Sequence, residues 1–195
     1  LLIATGGRQL ISFDLNKRAP DPKFGDNGIV DTSKGLGRDI NERLLGHNAP
    51  PIVCRDTIVL GSIISDGPNS PEMPPGHVRG YDVRTGEMKW VFHTIPQEGE
   101  YGVETWEDDS WKYSGNTNVW SMMSADEELG YVYLPISTPT NDWYGEFGIF
   151  KRCTTDFGIT TFLARRISST SMLTDVRLRQ WHKSASRVFA TFSIV

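Results

Sequence analysis

The strongest constraint on how this chain can fold is a hairpin that its sequence writes twice. "QLISFDL" and "HVRGYDVRTGEMKWVF" set an apolar residue, a small residue, an aromatic and an Asp in one order: Ile11, Ser12, Phe13, Asp14 and Val78, Gly80, Tyr81, Asp82. The two aspartates stand 68 residues apart. In the second copy Asp82 can accept hydrogen bonds from the turn backbone, and Thr85-Gly86 supplies the turn, with Gly at the positive-φ position. Met88, Trp90 and Phe92 then fall on one strand face by period-two alternation. The first copy has "NKRAPDPKFGDNG" where the turn should be, so its turn chemistry is expected to be lost.

Other segments read the same way. "LLIATGG", "TIVLGSII" and "YVYLPIS" are apolar runs of strand length bounded by turn residues. An inner strand, a hairpin and a linker repeating along the chain is the pattern of a β-propeller blade, because one small sheet cannot bury both of its faces. A β-sandwich gives similar spacing, and on pattern alone both architectures stay open.

Composition matters at one place. Residues 1–150 carry 12 Lys+Arg against 22 Asp+Glu, whereas residues 151–195 carry 8 against 2. Every Pro and all but one Gly precede that break. The overall net charge of −4 argues against a nucleic-acid partner, which needs a concentrated basic face. No apolar run approaches the roughly 18–20 residues that cross a bilayer. Leu1 enters a strand-like run directly, so the chain is expected to start inside a longer protein, with any targeting segment upstream. Cys54 and Cys153 are expected as two unpaired thiols, a pair in an oxidising compartment being the alternative.

The stretch "GHVRGYDVRTGEMKWVFHTIPQEGEYGVETWEDDSWKYSGNTNVWSMMSADEELGYVYLPISTPTNDWYGE", preceded in order by "FGDNGIVD", "APPIV" and "VLGSIISDG", resembles the pyrroloquinoline quinone (PQQ)-dependent dehydrogenases, in particular their membrane-bound glucose dehydrogenase-like branch. The resemblance covers about residues 1–146. It implies an all-β fold, a partial β-propeller of about three blades out of eight, with PQQ and Ca²⁺ or another divalent ion near the axis. Residues 147–195 match nothing in the family and are expected to be an irregular or misfitted tail, from a frame shift, a truncated reading frame or divergence. The implied activity is oxidation of a sugar or alcohol hydroxyl to a carbonyl, with electrons passed to a quinone acceptor. The implied location is the periplasm, with inner-membrane association only through a missing upstream part. A non-catalytic propeller fragment, whether scaffold or remnant, is the alternative.

Carried over residue by residue, the resemblance makes Trp120 in "NTNVW" the floor of the quinone pocket, where a large π-face suits a flat ring system. On the residues alone, Trp120 reads as a sheet-packing aromatic. Asn118 falls where a hydrogen-bonding side chain to the quinone is expected, Ser65 where cofactor carboxylates are held, and His47 near a pocket position. Asp66 aligns with an acidic metal ligand, its other reading being a turn cap, and Thr138 stands where the family often has a metal-binding Asn. The expected catalytic Asp, the general base, lies beyond the matching segment. His47, His77, His93 and His182 lie at least 16 residues apart and show no metal-binding spacing. In "PQEGEYGVETWEDDSW", Trp106 and Trp111 are expected to dock one sheet on the next while the carboxylates stay solvated; a sugar-binding mouth is the rival reading. The isolated chain is expected to be inactive, since most blades are missing.

Overall fold

Turn chemistry decides where the strands begin and end. The computed structural model describes residues 1–65 and 70–140, together with the backbone of Thr161–Arg166. Near the N-terminus, β1 (Leu2–Thr5), β2 (Gln9–Asp14), β3 (Ala19–Pro20) and β4 (Ile29–Asp31) form one sheet in which β2 pairs with each of the others. A small ribbon joins β5 (Leu45–Gly46) to β8 (Ile63–Ile64). The central sheet runs β10-β9-β7-β6, built from β6 (Ile52–Cys54), β7 (Thr57–Leu60), β9 (Val78–Asp82) and β10 (Met88–Phe92). The last contains β11 (Ser124–Asp126), β12 (Tyr131–Ile136) and β13 (Thr161–Arg166).

The central sheet is covered on both faces, and the period of two shows how. Ile58 and Leu60 of β7 pack with Leu10, Phe24 and Tyr81 toward the first sheet. Val59, between them, packs with Val78, Val119, Val132, Leu134 and Ile136 toward the last sheet. Fully burying each such side chain is worth about 1.5–3 kcal/mol, which is what holds the three sheets face to face. This stacking is the propeller arrangement in partial form.

One turn recurs in all three sheets. Asp82 Oδ1 accepts from the backbone N–H of Arg84 and of Thr85, both at 2.9 Å, and Gly86 follows at φ 73°. Asp126 Oδ1 accepts from Leu129 N–H at 2.9 Å, followed by Gly130 at φ 70°. Contrary to expectation, the first copy keeps the same chemistry. Asp14 Oδ1 accepts from Asn16 N–H at 2.9 Å and Lys17 N–H at 3.2 Å, and Arg18 takes the glycine's place at φ 53°. The Asp side chain makes the turn, so the loss of Gly costs strain without removing it. Arg18→Gly is therefore expected to raise the stability of the chain by about 1 kcal/mol, read as a higher urea midpoint at unchanged slope; a lower midpoint would contradict this.

Two further expectations are corrected. Met88 does not share a face with Trp90 and Phe92: a bulge between Met88 and Trp90 turns it out, leaving it 43 % exposed, while Trp90 and Phe92 pack on the core. Trp106 joins two short 3₁₀ turns and Trp111 sits in the second, both half-buried and outside the three hydrophobic clusters. The space between sheets is already filled by Trp90, Phe92 and aliphatic side chains, so no indole from that crossing enters it. The carboxylates of Glu104, Glu107, Asp108 and Asp109 are exposed, as expected. The one described stretch beyond residue 146, β13, pairs along all of β12, from Tyr131↔Arg166 to Ile136↔Thr161. A strand edge offers a row of free N–H and C=O groups that such a segment can satisfy. Cys54 is a free, buried thiol, and Cys153 lies outside the described residues.

Candidate functional site

Three glycines show where distant segments touch backbone to backbone. A Cβ on Gly61 would stand 2.3 Å from the Val119 carbonyl oxygen, on Gly76 2.3 Å from Asn118 Cα, and on Gly115 2.3 Å from the Met73 carbonyl oxygen. The end of β7, residues 73–76, residues 114–119 and the stretch after β12 therefore converge. Gly76 N–H donates to Asn116 O at 2.8 Å and Asn116 N–H to Pro74 O at 3.0 Å. On the other side Thr117 N–H donates to Thr138 O, and Ser137 N–H to Asn118 O, both at 3.0 Å. Asn116 and Thr117 are held at φ 56° and 52°, a costly region for a β-branched residue. The Thr117 hydroxyl donates to Asn116 O at 2.5 Å and meets the Thr94 hydroxyl at 2.9 Å, which pins that conformation.

The side chains expected at the site are distributed as follows. Asn118 is buried and anchored at both ends of its amide: the nitrogen donates one N–H to Ser62 O at 2.9 Å, and the oxygen accepts from the Ser137 hydroxyl at 2.8 Å. His47 is buried with both ring nitrogens in use. Nδ1 lies 2.8 Å from the Gly61 carbonyl, which can only accept, so Nδ1 carries the proton; Nε2 then accepts from the Thr32 hydroxyl at 2.6 Å. Burial, reinforced by the Arg79 charge, lowers its pKa to about 4, so the ring is neutral.

Trp120 follows this nest directly. The residue is 53 % exposed and belongs to none of the hydrophobic clusters between the sheets. It stands next to Val119 and Ser121, which line a shallow cleft together with His47, Gly61, Ser62 and Met123. Thr138 is half-buried, adjacent to Ser137. The structure does not bring Ser65 to this group. The β5–β8 ribbon sets His47 and Ser62 at one end and Ser65, whose N–H donates to Leu44 O at 3.0 Å, at the other. Asp66 lies outside the described residues.

Sequence reasoning passed over Ser62, whose buried hydroxyl has no hydrogen-bond partner among the described residues, and Arg79. Arg79 is fully buried and donates to the carbonyls of Thr32 and of Lys34, so it braces the residue that holds His47. The signal for Ser62 was its place after Gly61 at the end of a fully buried strand. Arg79 carried none, since an Arg inside "HVRGYD" reads as solvent-facing. His77 is also buried and neutral, its pKa lowered to about 3 by burial and then by His93, Arg38 and Arg79. No carboxylate is buried among the described residues, so cationic and neutral groups dominate this interior. Nor do three His, Cys, Asp or Glu side chains gather there to hold a metal ion. No helix among the described residues is long and apolar enough to cross a membrane.

Comparison with known proteins adds an independent line. The glucose/ethanol/alcohol dehydrogenase β-propeller domain family matches residues 1–148. The quinate/shikimate dehydrogenase (quinone) of Acinetobacter baylyi is 33% identical over 137 residues, covering 70% of this chain and 16% of that protein. Quinoprotein glucose dehydrogenase A of Acinetobacter calcoaceticus is 31% identical, covering 69% and 16%. Among solved structures, a quinohemoprotein alcohol dehydrogenase from Pseudomonas putida HK5 superposes with a TM-score of 0.53 at 21% identity, over 71% of this chain and 19% of that one. The chain thus spans less than a fifth of the length of these relatives.

Proposed function

The chain belongs to the glucose/ethanol/alcohol dehydrogenase β-propeller family, whose cofactor is PQQ, and on that premise we propose that it is part of an enzyme that oxidises a sugar or alcohol hydroxyl to a carbonyl and passes the electrons to a quinone acceptor. The observation that carries this reading is the exposed indole of Trp120 beside the cleft of His47, Ser62 and Val119. A large aromatic left open costs water-exposed apolar area, and an exposed indole carried between two cleft-lining residues, Val119 and Ser121, is available to stack on a flat ligand.

The residues present fit such a ligand with a division of labour. Trp120 offers the stacking face, and the orphaned Ser62 hydroxyl is the free polar group of the wall. His47, with both ring nitrogens bonded within the protein, and Asn118, anchored by one amide N–H and by its oxygen, hold that wall in place. Bound there, PQQ would supply the acceptor for the hydride leaving the substrate carbon, and Ca²⁺ the Lewis acid that polarises it. Asp66 and the Thr138 hydroxyl are the proposed oxygen ligands of the metal, and Ser65 a partner for cofactor carboxylates. The general base is a carboxylate outside the matching segment. We further take 1–146 as the propeller portion, 147–195 as a divergent tail, and the periplasm as the compartment.

Titrating the chain with PQQ in the presence of Ca²⁺ tests the reading. Tryptophan emission is expected to be quenched saturably, and Trp120→Ala to weaken binding by about tenfold and remove much of the quench. Absence of quenching at high micromolar PQQ would favour the non-catalytic propeller fragment instead.

A further inference from the structure

The segment that ends in Trp120 is held from outside by a single cation. Arg38 lies in the loop between the first sheet and the ribbon, preceded by Gly35 and Gly37, both at φ 77°. Leu36 and Ile40, on either side of it, pack with Leu45, Ile64 and Met73 and fix the loop to the protein. Its Nη1 donates to Lys112 O at 2.6 Å and to Trp111 O at 3.5 Å. Its Nη2 donates to Met73 O at 2.7 Å and to Ser114 O. Met73 and Ser114 open the two strands of chain that Gly76 and Gly115 allow to nest. Carbonyls drawn to one point repel each other, and a planar guanidinium with divergent N–H groups can satisfy both segments at once. A lysine ammonium, a compact point charge, cannot span them. No carboxylate is among the partners of Arg38 named here, so its charge is spent on backbone geometry.

We propose that Arg38 is a positioning residue that sets the course of residues 114–120, and through them the orientation of Asn118 and Trp120. As a statement about the cofactor wall, this rests on the function proposed above; as a statement about the segment, it stands on the geometry alone. Hydrogen exchange of the 195-residue chain tests it. In Arg38→Ala the amides of Gly76, Asn116 and Thr117 are expected to exchange at least about tenfold faster, while those of Ile58, Val59 and Gly80 keep their protection. Millimolar methylguanidinium is expected to restore protection in Arg38→Ala. Arg38→Lys, which keeps the charge and secures a folded comparison, is expected to exchange at those three amides as Arg38→Ala does.

Unchanged exchange at Gly76, Asn116 and Thr117, or equal acceleration through the central sheet, would overturn the proposal, the second because it marks a merely structural residue. PQQ affinity measured on the same variants separates the two ideas. A roughly tenfold loss in Arg38→Ala supports the positioning role at the cofactor wall, and unaltered affinity removes it. Failure of the unsubstituted chain to bind PQQ counts against the cofactor reading, while the exchange pattern alone decides the clamp.

Discussion

At pH 5 the chain is expected to be less stable than at pH 7 by about 4 kcal/mol, because two buried histidines must stay neutral for it to fold. His47 and His77 are both nearly inaccessible, at 5% and 2% exposure. Their pKa values are lowered from the ordinary 6.5 to about 4 and about 3, burial being the first cause in each. The unfolded chain begins to take up protons at these rings near pH 6.5 while the folded chain does not, so acidification favours unfolding. Stability falls from about 6.5 downward and levels off only once the folded rings also protonate, near 4 and 3. Each unit of pH in that window costs about 1.4 kcal/mol per ring, so the loss at pH 5 is roughly 2 kcal/mol for each.

The exposed carboxylates act in a separate window. Asp14 and Asp82 are held below the usual range chiefly by backbone N–H donors, and Asp56 by Lys89. Their contribution is intact above about 3.8 and is lost only below it. Urea unfolding at pH 7, 6 and 5 checks the prediction, and His77→Asn should remove about half of the slope. A stability that stays flat down to pH 5 would mean that these rings are accessible to protons in the folded chain.

Gly76→Ala is expected to destabilise the chain by about 3 kcal/mol or more, at the upper end of overpacking changes. The new methyl would meet Asn118 Cα at 2.3 Å, Asn116 O at 2.4 Å and Asn118 N at 2.4 Å. All three are backbone atoms, so no side-chain rotamer relieves the clash. Two nested segments must separate, breaking the bonds from Gly76 N–H to Asn116 O and from Asn116 N–H to Pro74 O. Gly6 is the control, since a Cβ there meets nothing within 4 Å. Calorimetry or urea unfolding of Gly6→Ala and Gly76→Ala should differ by nearly the whole amount, and equal stabilities would refute the nesting.

The legible parts were those that chemistry writes locally. Strand runs such as "TIVL" and the Asp-led turn at Asp82 could be read because a period of two and a positive-φ Gly leave marks within a few residues. Even so, the turn at Asp14 was misjudged, since the missing Gly hid an Asp that does the same work. Met88 was misplaced because a bulge shifts the alternation by one residue and leaves no trace in the residue types. Trp120 could be singled out, while the state of its neighbours could not.

What this sequence determined by itself is the set of short strands, their turns and, through the ordered motifs of residues 1–146, the propeller class. What only the tertiary structure decided is which groups at the site are free. Whether His47, Asn118 or Ser62 has a spare hydrogen-bonding atom depends on carbonyls and hydroxyls brought in from 14 to 56 residues away. Arg38 likewise finds its acceptors 35 to 76 residues along the chain. Side-chain identity states what a residue can donate or accept, but the closing of distant backbone segments on one another determines what remains to be offered to a ligand.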